Sequence, residues 1–265
     1  MSGSGVTPQR HIAGRSALVT GGGSGLGRAM ALALARAGTR VILVGRRVAA
    51  LEGVAAEIAA LGGAPARVAP CDVTAPVAVE ALLSALADEE VSLLVNNAGI
   101  AGPVAEIVDV TPEQWDEVFA ANVRSIYLMC RAFLPAMYER GNGDVVNLAS
   151  VSGKRPLAAR TPYTASKMAV IGLTATLAFE AGPRGVRVNS LSPGPVRGPR
   201  MTRNFTLESE RSGISYDEAE RNFVSRAALA RLVEEDEVGD ALVAMLAMTA
   251  LSGADIDLSA GMIAR

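Results

Sequence analysis

Two cysteines in 265 residues, Cys71 and Cys130, are too few for a disulfide framework. Neither has metal-ligand companions at a characteristic spacing, so two reduced thiols, no metal site and a reducing, cytoplasmic setting are the simpler expectation. Aromatic residues are also scarce, at 4%, although hydrophobic residues make up 50% of the chain. The core must therefore be built from Ala, Val, Leu and Ile, with Gly permitting close packing, which suits a parallel sheet covered by helices on both faces. Neither sign of charge dominates: 25 basic and 27 acidic residues give a net charge of -2, which argues against nucleic acid as a partner. Long apolar runs are missing too. The first 11 residues have no h-region and later apolar stretches are short or interrupted by charge, so neither a signal peptide nor a membrane partner is expected. No linker or tandem repeat divides the chain, and the expected organisation is a flexible extension over 1–14 ahead of one domain over 15–265.

What is present is a repeated order of short apolar strands and helix-forming runs. Residues 16–20 read as a buried strand, followed by glycines and a helical run over 26–37, which Gly38 can close before the apolar strand 40–44. Helices over 48–61 and 77–87 precede strands at 66–71 and 91–95. The later chain continues with a long helical region over 112–140, a strand at 144–148, a helix over 162–181, a strand at 185–190, a helix over 234–248 and a strand at 255–258. This alternation predicts a Rossmann-like, doubly wound parallel sheet in a single α/β domain. Residues 197–226 are the least regular stretch. Their position after a C-terminal strand edge makes them a candidate substrate lid, with Arg197, Arg200 and Arg203 available to hold an acidic group. Met201, Phe205, Leu207, Tyr216 and Phe223 are available to cover an apolar one.

Between the first strand and its helix stand Thr20, Gly21, Gly22, Gly23, Ser24, Gly25, Leu26 and Gly27. Missing side chains here permit a tight turn, close backbone approach to a pyrophosphate and close packing of helix on sheet. The exposed amides at the helix start then form an anion site. The turn lacks the Lys-Ser/Thr ending of a phosphate loop, which argues against an ATPase. Farther along, Tyr163 and Lys167 are four residues apart on a predicted helix and so share a face. A nearby ammonium favours the phenolate form of a tyrosine, bringing its proton exchange closer to neutral pH.

With Thr20, Gly21, Gly25 and Gly27 at the spacing Thr-Gly-x-x-x-Gly-x-Gly, and Tyr163-x-x-x-Lys167 preceded by Ser150, the chain resembles the classical short-chain dehydrogenases/reductases from about residue 15 to 261. The resemblance implies an NAD(P)-dependent alcohol dehydrogenase or carbonyl reductase acting on a small-molecule alcohol or carbonyl substrate. It assigns Ser150 to orienting the substrate oxygen, Tyr163 to acid/base work, Lys167 to tuning Tyr163 and holding the nicotinamide ribose, and Asn122 to a water-linked proton relay through Lys167. Asp72 and Val73 match the place where the family meets the adenine ring. Asn97, Ala98 and Gly99 match its element after the fourth strand. Pro193, Gly194 and Val196 match its segment near nicotinamide. Gly198 stands where a threonine is common, and Ser259-Ala260-Gly261 departs from the usual Asp-Gly-Gly. Asp72 can alternatively cap the following helix, Asn97 tie loop backbone, and Ser150 cap a strand end.

The residues after the second strand are Gly45, Arg46 and Arg47, and no Asp or Glu occurs from 38 through 51. An NAD-selective site often places a carboxylate there, so NADP(H) is expected to be preferred, with NAD(H) possible. The resemblance also implies a homo-oligomer, a tetramer before a dimer; the face carrying Ala178, Phe179 and Ala181 is either part of that interface or intramolecular core. A 3-oxoacyl-thioester reductase, a nicotinamide-dependent epimerase or isomerase, and a noncatalytic cofactor-binding regulator are the alternatives.

Overall fold

The structure, a computed structural model, describes residues 12–263. Seven strands form one parallel sheet: β1 (Ser16–Thr20), β2 (Arg40–Gly45), β3 (Arg67–Pro70), β4 (Val91–Asn96), β5 (Gly143–Leu148), β6 (Val186–Pro193) and β7 (Asp255–Leu258), in the order β3-β2-β1-β4-β5-β6-β7. The order reverses between β1 and β4, and the crevice at such a switch point is where doubly wound folds bind ligands. Successive residues of β1 face opposite layers. Leu18 packs with the side carrying α3 (Pro76–Ala85), α5 (Ser125–Arg140) and α6 (Thr161–Ala181). Ala17 and Val19 pack with the side carrying α1 (Gly25–Arg36), α2 (Val48–Ala60) and α9 (Glu235–Ala247). Burial on both faces is what the aliphatic, aromatic-poor composition anticipates.

Of the extension expected over 1–14, residues 1–11 lie outside the described residues. Ile12 is fully buried among the α1 and α9 side chains, and the Gly14 amide donates to the Gly38 carbonyl at 2.8 Å. Packing thus begins three residues before Arg15. At the N-terminal edge of the sheet, buried Asp144 pairs with Arg15 at 2.7 Å and Arg187 at 2.6 Å, joining the ends of β5 and β6 to the residue before β1.

The helical region over 112–140 contains α4 (Pro112–Phe119), a π-helical turn (Ala120–Arg124) and α5. Thr111 and Gln114 form a capping box at its start. The π turn holds Asn122, in keeping with the frequent placement of such turns at functional sites.

Residues 197–226 are more regular than their sequence suggests: α7 (Pro199–Ser212) and α8 (Tyr216–Val224) form a small helical pair. Met201, Phe205, Ala219 and Leu232 make its own core, with Tyr216 and Phe223 packed edge-on against Phe205. These apolar residues hold the pair together, while Leu207 is exposed. Arg197, one of the arginines considered for an acidic group, is neutralised by Glu220 and Glu234, each at 2.9 Å. Arg203 is exposed, and the side chain of Arg200 lies outside the described residues.

Candidate active site

The β1–α1 turn is closed by contacts that leave no space for side chains. A Cβ on Gly27 would lie 2.1 Å from the Gly21 carbonyl oxygen, and one on Gly21, which has φ +66°, would lie 2.8 Å from Asn97 Nδ2. Thr20 ties this turn to the end of β4: its Oγ1 accepts from the Asn97 and Ala98 amides at 2.9 and 3.0 Å. Asn97 Nδ2 in turn donates to the Thr20 carbonyl at 2.9 Å. Asn97 therefore does tie loop backbone, and by doing so fixes the mouth of the switch-point crevice. At Gly25, with φ +52°, a Cβ would meet only Glu235 Oε1, at 3.9 Å. The first turn of α1 thus opens onto free space with its amides presented.

A cleft of about 650 Å³ runs from this turn in two directions. Towards β2 and β3 it is bounded by Gly45, Arg46, Arg47, Asp72 and Val73; towards β5 and α6 by Ala98, Gly99, Ser150, Tyr163, Lys167, Pro193, Gly194 and Val196. Gly21, Gly23, Ser24, Gly25, Leu26 and Gly27 line its middle, with Asn97 beside them. Every residue singled out in the sequence as catalytic or cofactor-binding lines this one cleft except Asn122, which is completely buried behind it.

Ser150 follows β5 and starts a short 3-10 turn, Val151–Gly153; its Oγ accepts from the Ser152 amide at 3.1 Å. It is thus both a cap and a cleft-lining hydroxyl. Tyr163 is the third residue of α6, where the helix N-terminus favours negative charge. Lys167 is buried one turn on, with Nζ 5.9 Å from the centre of the Tyr163 ring and donating to the Leu148 carbonyl at 2.6 Å. Asn122 bridges the π turn to both sides of the site. Its Oδ1 accepts from the Ile100 amide at 2.7 Å, and its Nδ2 donates to the Ile100 carbonyl at 3.0 Å and to Ser166 Oγ at 2.9 Å. Asn122 Oδ1 and Lys167 Nζ lie 2.7 and 3.8 Å from where a Gly99 Cβ would stand, so both approach the same glycine.

At the opposite end Asp72 does not cap α3, whose N-cap is Ala75. Its carboxylate instead accepts from the Thr74 hydroxyl at 2.7 Å and amide at 3.0 Å. These bonds, chiefly the hydroxyl one, hold it below the usual carboxylate range, with a smaller contribution from the Arg46 charge. Arg47 crosses from the start of α2 to Ser24, donating to its hydroxyl at 3.2 Å. A guanidinium thereby sits on the glycine turn, which has no basic residue of its own. Cys71 is a free thiol lining the cleft, raised mainly by burial; Cys130 is also free and is pushed up to about 12 by complete burial. Glu235, the first residue of α9, reaches the cleft from the far side of the glycine turn and was not flagged by any motif.

Residues 15–210 match the model of the short chain dehydrogenase family. The chain belongs to that family. It is 32% identical over 259 residues to a D-beta-hydroxybutyrate dehydrogenase of Cupriavidus necator, an alignment covering 95% of this chain and 99% of that one. Among solved structures it superposes on the L-sorbose reductase from Gluconobacter frateurii complexed with NADPH and L-sorbose, with TM-score 0.89, 26% identity and coverage of 95% and 97%. It also superposes on an NAD+-bound xylitol dehydrogenase, with TM-score 0.86, 29% identity and coverage of 94% and 99%. Among the described residues no helix is long and apolar enough to cross a membrane.

Proposed function

We propose that this short-chain dehydrogenase interconverts a secondary alcohol and a ketone with NADP(H) as the preferred cofactor, using Ser150, Tyr163 and Lys167. The protein is an NAD(P)-dependent oxidoreductase acting on an alcohol or carbonyl group of a small molecule. The observation that carries the proposed mechanism is the convergence of Ser150, Tyr163 and Lys167 on the same cleft as the glycine turn.

The residues present fit a nicotinamide dinucleotide. The open first turn of α1 suits a diphosphate, the β2–β3 end with Arg46 and Asp72 suits the adenosine, and the β5–α6 end with Lys167 suits the nicotinamide ribose. When bound, that cofactor supplies or accepts the hydride. Ser150 donates a hydrogen bond to the substrate oxygen and orients it. In reduction Tyr163 gives its phenolic proton to that oxygen, and in oxidation it takes the proton back. Lys167 stabilises the negative charge left on the phenol oxygen, while the Leu148 carbonyl and Asn122 fix the wall along which the ammonium is held. These interactions strengthen as charge develops on oxygen, which makes them transition-state effects. Spectrophotometry with each cofactor over a panel of alcohols and ketones, with products identified by mass, tests this reading; cofactor binding without any turnover would defeat it.

Glu235 is expected to oppose cofactor affinity. Its carboxylate faces Gly25 and Gly198, lying 3.9 and 3.3 Å from the positions their Cβ atoms would take. It therefore adds a negative charge to the pocket offered to the diphosphate. Glu235→Gln should lower the Kd for reduced cofactor by about three- to tenfold, with the gain shrinking as ionic strength rises. Fluorescence titration of wild type and variant at two salt concentrations checks this, and an unchanged or higher Kd counts against it.

The assembly proposed is a homo-oligomer, with a tetramer favoured. Ala178 and Ala181 are buried within the subunit, but Phe179 is 86% exposed on α6, as are Met168 on the same helix and Tyr127 on α5 to about half. Large apolar groups on two long neighbouring helices favour a protein partner. Sedimentation velocity across a concentration range is expected to show a species of four chains; a compact monomer at all concentrations would sink the proposal.

A further inference from the structure

A hydroxyl that donates to the substrate oxygen must be held in place, because a shift of about 1 Å in a reacting group can cost on the order of 10²-fold in rate. On its incoming side Ser150 is held by the sheet: the Ala149 amide donates to the Leu191 carbonyl of β6 at 2.9 Å. On its outgoing side the 3-10 turn Val151–Gly153 closes on itself. The Gly153 amide donates to the Ser150 carbonyl at 2.9 Å and the Lys154 amide to the Val151 carbonyl at 3.0 Å. The underside of the turn lies on α6, where a Cβ on Gly153 would stand 3.0 Å from both the Lys167 carbonyl carbon and the Met168 nitrogen. From Arg155 to Arg160 the chain has neither helix nor strand, so Lys154 is the junction between the turn and an irregular stretch.

Lys154 does not reach into solvent. Its side chain is 5% exposed, and its ammonium pairs with both Asp255 and Asp257 of β7. Those two carboxylates are two residues apart on one strand and so share a face. Asp255 is also fixed from β6, its Oδ1 accepting from the hydroxyls of Ser190 and Ser192 at 2.7 and 2.8 Å. One ammonium thus ties the end of the Ser150 turn to the last two strands of the sheet. Desolvation offsets much of the attraction in a buried ion pair, so its net stabilisation is small, whereas removal of one partner leaves charge uncompensated. Without Lys154 the two neighbouring carboxylates would repel, and the turn would lose the bond that draws it to β7. The nicotinamide end of the cleft has a separate support. There the Gly194 amide donates to the Leu258 carbonyl at 2.8 Å, a backbone bond independent of the Lys154 side chain.

We propose that Lys154, held by Asp255 and Asp257, is a positioning residue that fixes Ser150 where the substrate oxygen meets it. The inference rests on the role given to Ser150 above and adds to it a residue that does not line the cleft. Because Lys154 acts through Ser150, its effect falls on the chemical step and not on cofactor binding.

The test is a double-mutant cycle on the alcohol that wild type oxidises fastest in the panel above. The single-turnover rate of cofactor reduction is followed by nicotinamide absorbance after rapid mixing. Lys154→Met keeps an unbranched apolar stem and removes the charge. It should lower that rate by about tenfold, with the Kd for cofactor within about twofold of wild type. In a Ser150→Ala background the same substitution should cost less than about twofold, because the hydroxyl it positions is gone. Asp257→Asn preserves the shape of the site and leaves Asp255 in place. It should lower the rate about threefold with the same dependence on Ser150, and it decides the question if circular dichroism shows that Lys154→Met does not fold. An equal loss in both backgrounds makes the network a stabilising one only and overturns the proposal. A wild-type rate in folded Lys154→Met, or a rise in cofactor Kd that matches the fall in rate, overturns it as well. These outcomes leave the reading of Ser150 standing. Ser150→Ala with a wild-type rate removes Ser150 from the chemistry and brings down both.

Discussion

Tyr163→Phe should cost about 10²- to 10⁴-fold in kcat/KM while leaving the fold and the cofactor Kd close to wild type. The substitution removes one oxygen and keeps the ring, so the packing at the start of α6 is preserved. What disappears is the phenolic proton that the proposed mechanism passes to the substrate oxygen. The surroundings of the phenol suit the proposed acid/base role: it lies in the first turn of a helix, its ring centre 5.9 Å from the Lys167 ammonium and 5.4 Å from the Arg160 guanidinium. All three favour negative charge on its oxygen. Lys167→Ala should be broader in effect, because Lys167 lines the cleft and is fixed at the Leu148 carbonyl as well as facing Tyr163. Steady-state rates, cofactor titration and circular dichroism on the same preparations separate these outcomes. A folded Tyr163→Phe protein with near-wild-type turnover removes Tyr163 from the chemistry.

The parts of this site that were legible in the sequence are those fixed by local geometry. A Thr-Gly-x-x-x-Gly-x-Gly turn needs its glycines at set positions because Gly27 stacks directly on the Gly21 carbonyl, and Tyr-x-x-x-Lys needs only one helical turn to bring both side chains to one face. Strand and helix order was likewise carried by the alternation of short apolar runs such as β1, β2 and β4 with longer helix-forming ones.

What escaped depends on distant chain. Residues 197–226 are polar on average, and only the meeting of Met201 and Phe205 with Ala219 and Leu232 shows that they fold as a helical pair. Arg197 reads as a free cation until Glu220 and Glu234 are placed beside it. Glu235 belongs to a charged helix start, an ordinary pattern whose significance appears only when α9 packs on α1 and turns the carboxylate towards Gly25.

The balance between the two cofactors is expected to invert when Gly45→Asp and Arg46→Ala are combined. No carboxylate stands at the end of β2, where an NAD-selective site accepts the hydroxyls of the adenosine ribose. Arg46 borders that end of the cleft and is exposed, free to make charge-assisted bonds to a ribose phosphate worth roughly 1.5 to 3 kcal/mol. Arg47 adds a second guanidinium at Ser24, 3.2 Å from its hydroxyl, so the basic group missing from the glycine turn is supplied from the next helix. Asp72 stands after β3 rather than β2, and its Oδ1 is held by the Thr74 hydroxyl and amide. The Asp substitution is sterically accessible: a Cβ on Gly45 meets only Leu51 Cδ2, at 3.5 Å, an ordinary contact. Wild type should therefore show a higher kcat/KM with NADP than with NAD. Arg46→Ala alone should reduce NADP use by about tenfold or more with little change for NAD. Gly45→Asp should add repulsion towards the phosphorylated cofactor and an acceptor for the unphosphorylated one, so that the double variant favours NAD. The measurement is kcat/KM for both oxidised cofactors at one saturating alcohol, in all four proteins. Equal or better use of NAD by the wild type would overturn the assignment of Arg46, because its charge would then have no phosphate to answer.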